Sequence, residues 1–250
     1  MVKTLRETVT LRTSDCDLNG VWRLSAVMTE MQEIATRHSE LMGCGREALM
    51  AENLAWVVSG CRIDMDRYPL IGESLSVETF HMPARHRFFP RFFVFTGADG
   101  RPVGRAATLW LLMDLETRRS VPGTQVAERM PDNRDLTAPL PWPGGVSRME
   151  GEPEHLACVP RYADLDTNGH VNNTRYGDWL CNALGTARMK AGQIETLTLQ
   201  YRAEIREDQP LDLQTVVKGE AFWFSVCRGD QVFFEAEGRL SPRHDQEKHA

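Results

Sequence analysis

The sequence predicts an α+β protein of two tandem units, each an antiparallel sheet wrapped around one long helix. A motif at residues 164–173 has a partial copy at residues 15–24, and both carry the frame Asp-x-Asp-x-Asn-Gly at a constant offset of 149 residues. A helix-like stretch follows each copy, and about four strand-like segments follow each helix. Runs of strands with a single long helix favour an antiparallel sheet packed on that helix.

In the first half, an alternating segment at residues 8–12 precedes the motif. Apolar side chains then recur at spacings of three and four from Val27 to Met42, which is one stripe of a helix. Ser25 is its predicted N-cap and Gly43 its predicted C′ residue. Four strands are expected after it, at Ala55–Ile63, Ser74–His81, Phe89–Thr96 and Val103–Met113.

The second half repeats this order. Residues 156–161 precede the motif, and a helical stripe from Tyr176 to Ala187 follows it, with Gly192 ending the run. Gly229-Asp230 is typical of a hairpin turn between the last two strands. The expected strands are Thr196–Arg206, Leu211–Lys218, Ala221–Cys227 and Gln231–Leu240.

These elements predict three parts of the chain. Residues 1–120 form an N-terminal unit with a degenerate site, residues 121–150 a linker rich in Pro and Gly, and residues 151–241 the catalytic C-terminal unit. The polar tail Ser241–Ala250 is expected to fray.

Composition narrows the class of protein. The chain has 250 residues, 42% hydrophobic, with no apolar leader and no run of about 18 apolar residues, so we expect a cytoplasmic protein without an integral membrane segment. The net charge of −6 argues against nucleic acid as the main partner. The six cysteines are scattered, without C-x-x-C or zinc-ligand spacing, so we expect reduced thiols, no metal and no cofactor.

The second motif has the residues of an acid–base site. Asp166, Asn168 and His170 lie two residues apart, so in an extended or turning chain they point the same way, at the entry to a helix. An imidazole can transfer protons to and from a reacting carbonyl compound, and Asp166 can fix its tautomer or hold the loop. Val21 stands where His170 stands in the second copy, so only the second site is expected to work.

A structural role competes with this interpretation. Asp and Asn before a helix are common caps and turn formers. The residues interpreted mainly as turn formers are Asp15, Asp17 and Asn19 in the first copy and Asp164, Asn172 and Asn173 in the second.

Six segments in order form a family pattern that covers nearly the whole length of the chain. They are Asn53–Val58, Asp66–Pro69, Arg105–Trp110, Thr117–Arg119, Asp164–Asn173 and Leu199–Glu204. In this ordered set the chain resembles the acyl-acyl-carrier-protein thioesterases of plants and bacteria, which are double hotdog proteins.

The resemblance implies hydrolysis of a fatty acyl thioester on acyl carrier protein. The family's Asp-x-Asn-x-His falls on Asp166, Asn168 and His170, and its glutamate, in the strand after the helix, falls on Glu204. Plant members carry a cysteine next to that glutamate, whereas Ile205 stands here, so we expect water rather than a thiol to attack.

The identity of the base stays open, and the oxyanion is expected to bind to backbone groups. Either Glu204 or His170 can be the base that activates the water. Backbone amides near Val171 and Asn172 are expected to stabilise the oxyanion.

Substrate contacts are expected mainly in the first half, which in this family shapes the acyl tunnel. The expected acyl contacts are Val27, Met28, Met31 and Trp56. Because acyl carrier protein is acidic, a local basic patch must bind it. The expected docking residues are Arg85, Arg87, Arg118 and Arg119, with Arg91 beside them.

Three alternatives remain. The same fold supports an acyl-CoA thioesterase, a hydratase or dehydratase, and a non-catalytic acyl-binding protein. The single retained histidine argues against passive binding. The sequence fixes neither the acyl chain length nor the choice between monomer and homodimer.

Overall fold

The computed structural model describes residues 2–243 and divides the chain into two compact units, one up to Gly144 and one from Gly145. Residues 244–250, most of the tail expected to fray, lie outside the described residues. Residues 241–242 belong to the last strand instead. Within residues 2–243, no helix is long and apolar enough to cross a membrane.

The first unit is an antiparallel sheet with one long helix. Its strands adjoin in the order β1-β3-β4-β5-β2, with β6 paired on β5, and α1 contacts β1 and β3. The elements in chain order are β1 (Leu5–Thr10), α1 (Leu24–Leu41), α2 (Arg46–Ala51), β2 (Leu54–Met65), β3 (Ser74–His81), β4 (Phe89–Gly97), β5 (Pro102–Asp114), β6 (Ser120–Val121) and α3 (Thr124–Ala127).

The second unit has the same connectivity. Its strands adjoin in the order β7-β9-β10-β11-β8, and its main helix, α4, contacts β7 and β9. The elements are β7 (Glu154–Cys158), α4 (Arg175–Leu184), α5 (Thr186–Ala191), β8 (Gly192–Tyr201), β9 (Leu211–Lys218), β10 (Ala221–Arg228) and β11 (Gln231–Pro242).

In both units the first strand lies at one end of this order and the second strand at the other. The predicted fold class, two tandem α+β units, is therefore confirmed. Each core contains packed aromatic pairs: Trp22 meets Phe95 edge-on at 5.6 Å in the first unit, and Tyr176 stacks on Phe234 at 4.4 Å in the second.

Several predicted boundaries need correction. Helix α1 begins at Leu24 with Arg23 as its N-cap, so Ser25 lies inside the helix; the Arg23 guanidinium is held by the Cys16 carbonyl at 2.6 Å. Gly43 does follow α1 in the left-handed conformation, with φ of 70°. The single helix expected in the second half is two, because Gly185 adopts φ of 86° and breaks it.

The segment between β6 and β7 divides between the two units. Residues up to Gly144 group with the first unit, where Leu140 is buried in a cluster with Phe80 and Phe92. Further along, the Ser147 backbone N–H donates to the Glu237 carboxylate at 3.0 Å, inside the second unit.

Candidate active site

His170 lies at the end of a tight turn closed by one carboxylate. Asp166 Oδ1 accepts the backbone N–H of Asn168 at 2.7 Å and of His170 at 3.3 Å. The Asp166 N–H donates to the His170 carbonyl at 2.8 Å, and Gly169 takes the left-handed conformation with φ of 73°. The Asp166 side chain therefore holds the loop, one of the two roles that the sequence left open.

The first unit contains the same turn without the histidine. Asp17 Oδ1 accepts the N–H of Asn19 at 2.8 Å and of Val21 at 3.4 Å, and Gly20 has φ of 72°. Nearly equal distances in both copies indicate that the Asp-x-Asn-Gly frame builds a backbone shape. Any catalytic difference between the units must come from side chains set on that shape.

A second repeated interaction precedes each turn. The Asp15 carboxylate accepts the Arg12 N–H at 2.8 Å, and the Asp164 carboxylate accepts the Arg161 N–H at 2.8 Å. Each of these carboxylates closes a single 3₁₀ turn. Both acidic residues thus cap local structure, as expected for turn formers.

The structure brings His170 and Glu204 together. His170 Nε2 lies 3.2 Å from Glu204 Oε2, with 17% of the His170 side chain and 39% of the Glu204 side chain exposed. The two atoms are at ion-pair distance without the alignment of a hydrogen bond, and His170 Nε2 has no hydrogen-bond partner among residues 2–243. The backbone fixes this approach, because the Val171 N–H donates to the Ile205 carbonyl at 2.8 Å.

Glu204 lies outside the strand in which the sequence placed it. Strand β8 ends at Tyr201, and Glu204 belongs to the loop that follows. The regular ladder ends here because the N–H groups of Arg202 and Ala203 both donate to the Phe233 carbonyl, at 2.9 and 3.2 Å, as in a β-bulge. The loop position lets the carboxylate reach the histidine on the other loop.

The expected oxyanion donors are already engaged. The Val171 N–H donates to Ile205, and the Asn172 N–H donates to the Asp164 carbonyl, both at 2.8 Å. These two amides therefore cannot serve an oxyanion without breaking backbone hydrogen bonds, so the expectation does not hold for Val171 and Asn172 themselves. The sequence could not reveal these bonds, because both partners are backbone atoms.

The first unit has an apolar equivalent of the His170–Glu204 pair. The Trp22 N–H donates to the Pro69 carbonyl at 2.9 Å, just as Val171 donates to Ile205. In this correspondence Val21 takes the place of His170 and Tyr68 that of Glu204, and both are buried. The sequence analysis found Val21 as the replacement of His170. It missed Tyr68 as the replacement of Glu204, because these two residues are not separated by the constant offset of 149 residues.

The cysteines are poor nucleophile candidates. All six are free thiols. Burial raises the pKa of Cys158 above its ordinary value, and the Asp164 charge raises it further, which disfavours the reactive thiolate. Ile205, in the position of the plant cysteine, is fully buried.

The residues expected to contact the acyl chain fall in two places in the first unit. Val27, Met28 and Met31 are buried along one face of α1. Trp56 lies on β2, packs edge-on against Phe89 at 4.9 Å and donates its indole N–H to the Cys44 carbonyl at 3.0 Å.

The four expected docking arginines are all exposed. Arg85 and Arg87 form one group in the sequence, Arg118 and Arg119 the other, and the structure places the two groups near each other. The Arg87 guanidinium donates to the Ser120 carbonyl at 3.1 Å and to the Ser120 hydroxyl at 3.0 Å. Because Ser120 follows Arg119 in the sequence, these bonds bring Arg87 near Arg119. Arg85 lies over the Trp142 ring at 5.2 Å, and Arg118 has φ of 57° in the adjoining turn.

Arg91 does not belong to this basic surface. It is 5% exposed, because from near the start of β4 it points toward His38 and Ser39 of α1. The expectation that it contributes to docking was wrong. Within the described residues no group of three or more His, Cys, Asp or Glu side chains could hold a metal ion.

The comparisons with known proteins agree with this architecture. Residues 3–128 match the family described as acyl-ACP thioesterase N-terminal domain, and residues 148–246 match its C-terminal domain. A chloroplastic palmitoyl-acyl carrier protein thioesterase of Arabidopsis thaliana is 26% identical over 86% of this chain and 55% of its own length. A chloroplastic dodecanoyl-[acyl-carrier-protein] hydrolase of Cinnamomum camphora is 27% identical over 86% of this chain and 59% of its own.

Solved structures confirm the tandem hotdog fold. An acyl-ACP thioesterase from Bacteroides thetaiotaomicron superposes with a TM-score of 0.87 at 23% identity, covering 96% of this chain and 98% of that one. A 12:0-ACP thioesterase from Umbellularia californica gives 0.83 at 24% identity, covering 97% and 99%. The chain spans a little over half the length of the first plant relatives it matches.

Proposed function

Because this chain belongs to the acyl-ACP thioesterase family, we propose that it hydrolyses fatty acyl thioesters of acyl carrier protein. The products are a free fatty acid and the carrier thiol, so the reaction ends growth of the acyl chain in fatty acid biosynthesis. The observation that supports this most directly is the 3.2 Å approach of His170 Nε2 to Glu204 Oε2. It joins a proton acceptor and an imidazole on two loops of the second unit.

The proposed mechanism uses a water molecule as nucleophile. Its oxygen bonds to the thioester carbonyl carbon while Glu204 or His170 takes its proton. Collapse of the tetrahedral adduct breaks the carbon–sulfur bond, and the proton passes to the leaving thiolate. Asn168 positions the water or the carbonyl oxygen, and Asp166 keeps the turn in shape through its two backbone hydrogen bonds.

Variants of the pair test this mechanism. We expect His170→Ala and Glu204→Gln each to lower release of free thiol from acyl carrier substrates by about 10²-fold or more, with little change in thermal unfolding. Asn168→Ala should also lower turnover, whereas its first-unit counterpart Asn19→Ala should not. Full turnover in both His170→Ala and Glu204→Gln would refute the assignment.

We propose that the acidic carrier binds to four exposed arginines, Arg85, Arg87, Arg118 and Arg119. The hydrogen bonds from Arg87 to Ser120 support a single basic surface rather than two separate ones. Long-range attraction between exposed charges is weakened by salt. Docking through this surface should therefore raise KM for the carrier substrate as ionic strength rises.

A matched pair of variants tests docking separately from catalysis. Arg119→Glu should raise KM for an acyl carrier substrate several-fold and leave hydrolysis of acyl-CoA of equal chain length almost unchanged. Arg101→Glu, an exposed arginine on another turn, serves as the control. An equal loss on both substrates would count against carrier docking, and a preference for acyl-CoA would favour the CoA thioesterase.

We also propose that Val27, Met28, Met31 and Trp56 contact the acyl chain, supported by their apolar setting in the first unit. Met31→Trp should shift the preferred chain length, measured on a ladder of acyl carrier substrates. An unchanged dependence of turnover on chain length would contradict the proposal that α1 contacts the acyl chain.

We propose a cytoplasmic location and either a monomer or a homodimer. Six free cysteines fit a reducing compartment. Cell fractionation tests the location, and analytical ultracentrifugation tests the state of association. Recovery in a membrane or secreted fraction would contradict the proposed location.

A further inference from the structure

The first unit contains a buried arginine with neutral partners only. Arg91 donates to His38 Nδ1 at 3.0 Å, to Ser39 Oγ at 3.1 Å and to Thr79 Oγ1 at 3.3 Å. No carboxylate forms an ion pair with it among residues 2–243. Buried charges are normally paired with an opposite charge or fully hydrogen-bonded. Apolar packing gives no reason to bury an arginine without a carboxylate, whereas a polar group bound by this cluster would explain it.

Both histidines of the cluster are neutral near pH 7. His38 Nε2 donates to the Val2 carbonyl at 3.0 Å, which leaves Nδ1 to accept from Arg91. His81 Nδ1 lies 3.3 Å from the Met82 carbonyl and therefore carries the proton, which makes Nε2 an acceptor. Burial, and to a smaller extent the Arg91 charge, lowers the pKa of each histidine to about 4.

Two acceptors in this cluster have no donor. His81 Nε2 and Asn133 Oδ1 are buried without a hydrogen-bond partner among the described residues. Asn133 directs its amide N–H groups to the Lys3 and His81 carbonyls, at 3.0 and 2.8 Å, so its oxygen cannot be exchanged for the nitrogen by flipping. Most buried polar atoms in folded proteins are satisfied, and an orphan acceptor calls for a group with a hydrogen to donate.

The cluster continues the face of α1 that we assign to the acyl chain. Val27, Met31 and His38 fall on one helical stripe, and His38 lies seven residues beyond Met31, about 10 Å at 1.5 Å per residue. His81 and Arg91 are cross-strand partners on β3 and β4 beside it. A chain packed along this face that extends past Met31 would meet these hydrogen-bonding groups.

We propose that the Arg91–His81–Asn133 cluster binds a hydroxyl group, and that the preferred acyl substrates carry a hydroxyl remote from the thioester. The hydroxyl hydrogen donates to His81 Nε2 or Asn133 Oδ1, and its oxygen accepts from the Arg91 guanidinium. A methyl group in the same place leaves His81 Nε2 and Asn133 Oδ1 without a donor. Discrimination against a substrate that lacks a required hydroxyl is large when the site is built to bond it. This inference rests on the proposed function.

The kinetic experiment compares hydroxylated and unsubstituted acyl carrier substrates across a ladder of chain lengths and hydroxyl positions. For at least one of them the full-length protein should show kcat/KM about 10-fold or more higher for the hydroxylated member. His81→Phe should abolish that preference, because it removes the acceptor, and His81→Gln should keep part of it. No preference at any length and position would overturn the proposal, as would a preference for a terminal carboxylate.

A spectroscopic measurement keeps the proposal testable if His81→Phe fails to fold or if no substrate is hydrolysed. The ¹⁵N shift of His81 Nε2 in the wild-type protein should move on adding a free hydroxy fatty acid and stay fixed with the unsubstituted acid. An unchanged shift with both acids would mean that a bound water alone satisfies the cluster, and would overturn the proposal. Absence of thiol release from every substrate refutes the proposed function instead, so the two failures are distinguishable.

Discussion

The first unit should lose stability in mild acid because it buries two neutral histidines. His38 is fully buried and His81 is 3% exposed. For both, burial is the main cause of a pKa lowered from 6.5 to about 4; the Arg91 charge lowers both further. The unfolded chain therefore binds two protons between pH 6.5 and 4 that the folded unit excludes.

The size of the effect follows from linkage. At 1.36 kcal/mol for each pH unit of pKa difference, each histidine corresponds to about 3 kcal/mol, an order-of-magnitude figure. The stabilisation is complete above pH 6.5 and is lost as the pH falls toward 4. Over that window each histidine adds a slope of about 1.4 kcal/mol per pH unit to the free energy of unfolding.

Urea unfolding of wild type and His81→Phe at about pH 7.5, 6 and 5 measures this slope. The variant should be less dependent on pH than the wild type, by about 1.4 kcal/mol per pH unit below pH 6.5. Exposed groups contribute equally to both proteins and cancel in the difference. A difference between the two proteins that does not change from pH 7.5 to 5 would refute the reasoning.

Three further predictions concern the second unit. Gly169→Ala should lower the free energy of unfolding by about 1 kcal/mol because of its left-handed backbone, and it should also lower turnover. Gly20→Ala, with nearly the same φ, should lower stability only. Equal losses of turnover in the two variants would contradict this. Asn172→Ala should lower stability by about 1 kcal/mol in thermal unfolding, since its side chain accepts the Thr174 N–H at 2.9 Å in the turn that leads into α4; an unchanged midpoint would contradict the turn-forming role. Ile205→Cys should not make hydrolysis more sensitive to iodoacetamide than the wild type, because a fully buried thiol stays protonated; a gain in sensitivity would contradict the burial argument.

Local chemistry made much of the fold predictable. The Asp-x-Asn-Gly turns, Gly43 after α1 and the hairpin at Gly229 depend on residues a few positions apart, where spacing and φ preference decide the shape. The order of strands and helices followed from apolar periodicity. His170 was identified as the asymmetric member of the repeat by comparing the two copies.

Contacts between distant segments were beyond the sequence. The approach of Glu204 to His170 depends on where β8 ends and on a backbone bond between two loops. Arg91 looked like its exposed neighbours Arg85 and Arg87, because strand alternation alone does not say which face meets α1. Tyr68 as the counterpart of Glu204 became visible only through equivalent backbone hydrogen bonds.

The paired turns at Asp17 and Asp166 provide an internal reference for mutagenesis. A change at Asp166 that harms both folding and turnover is ambiguous by itself, because its carboxylate braces the main chain. The same change at Asp17 perturbs a loop with the equivalent hydrogen bonds that ends in Val21. Subtracting the effect of the Asp17 substitution from that of the Asp166 substitution removes the cost of disturbing the turn. What remains is the contribution of Asp166 to turnover, measured in the same protein and solvent.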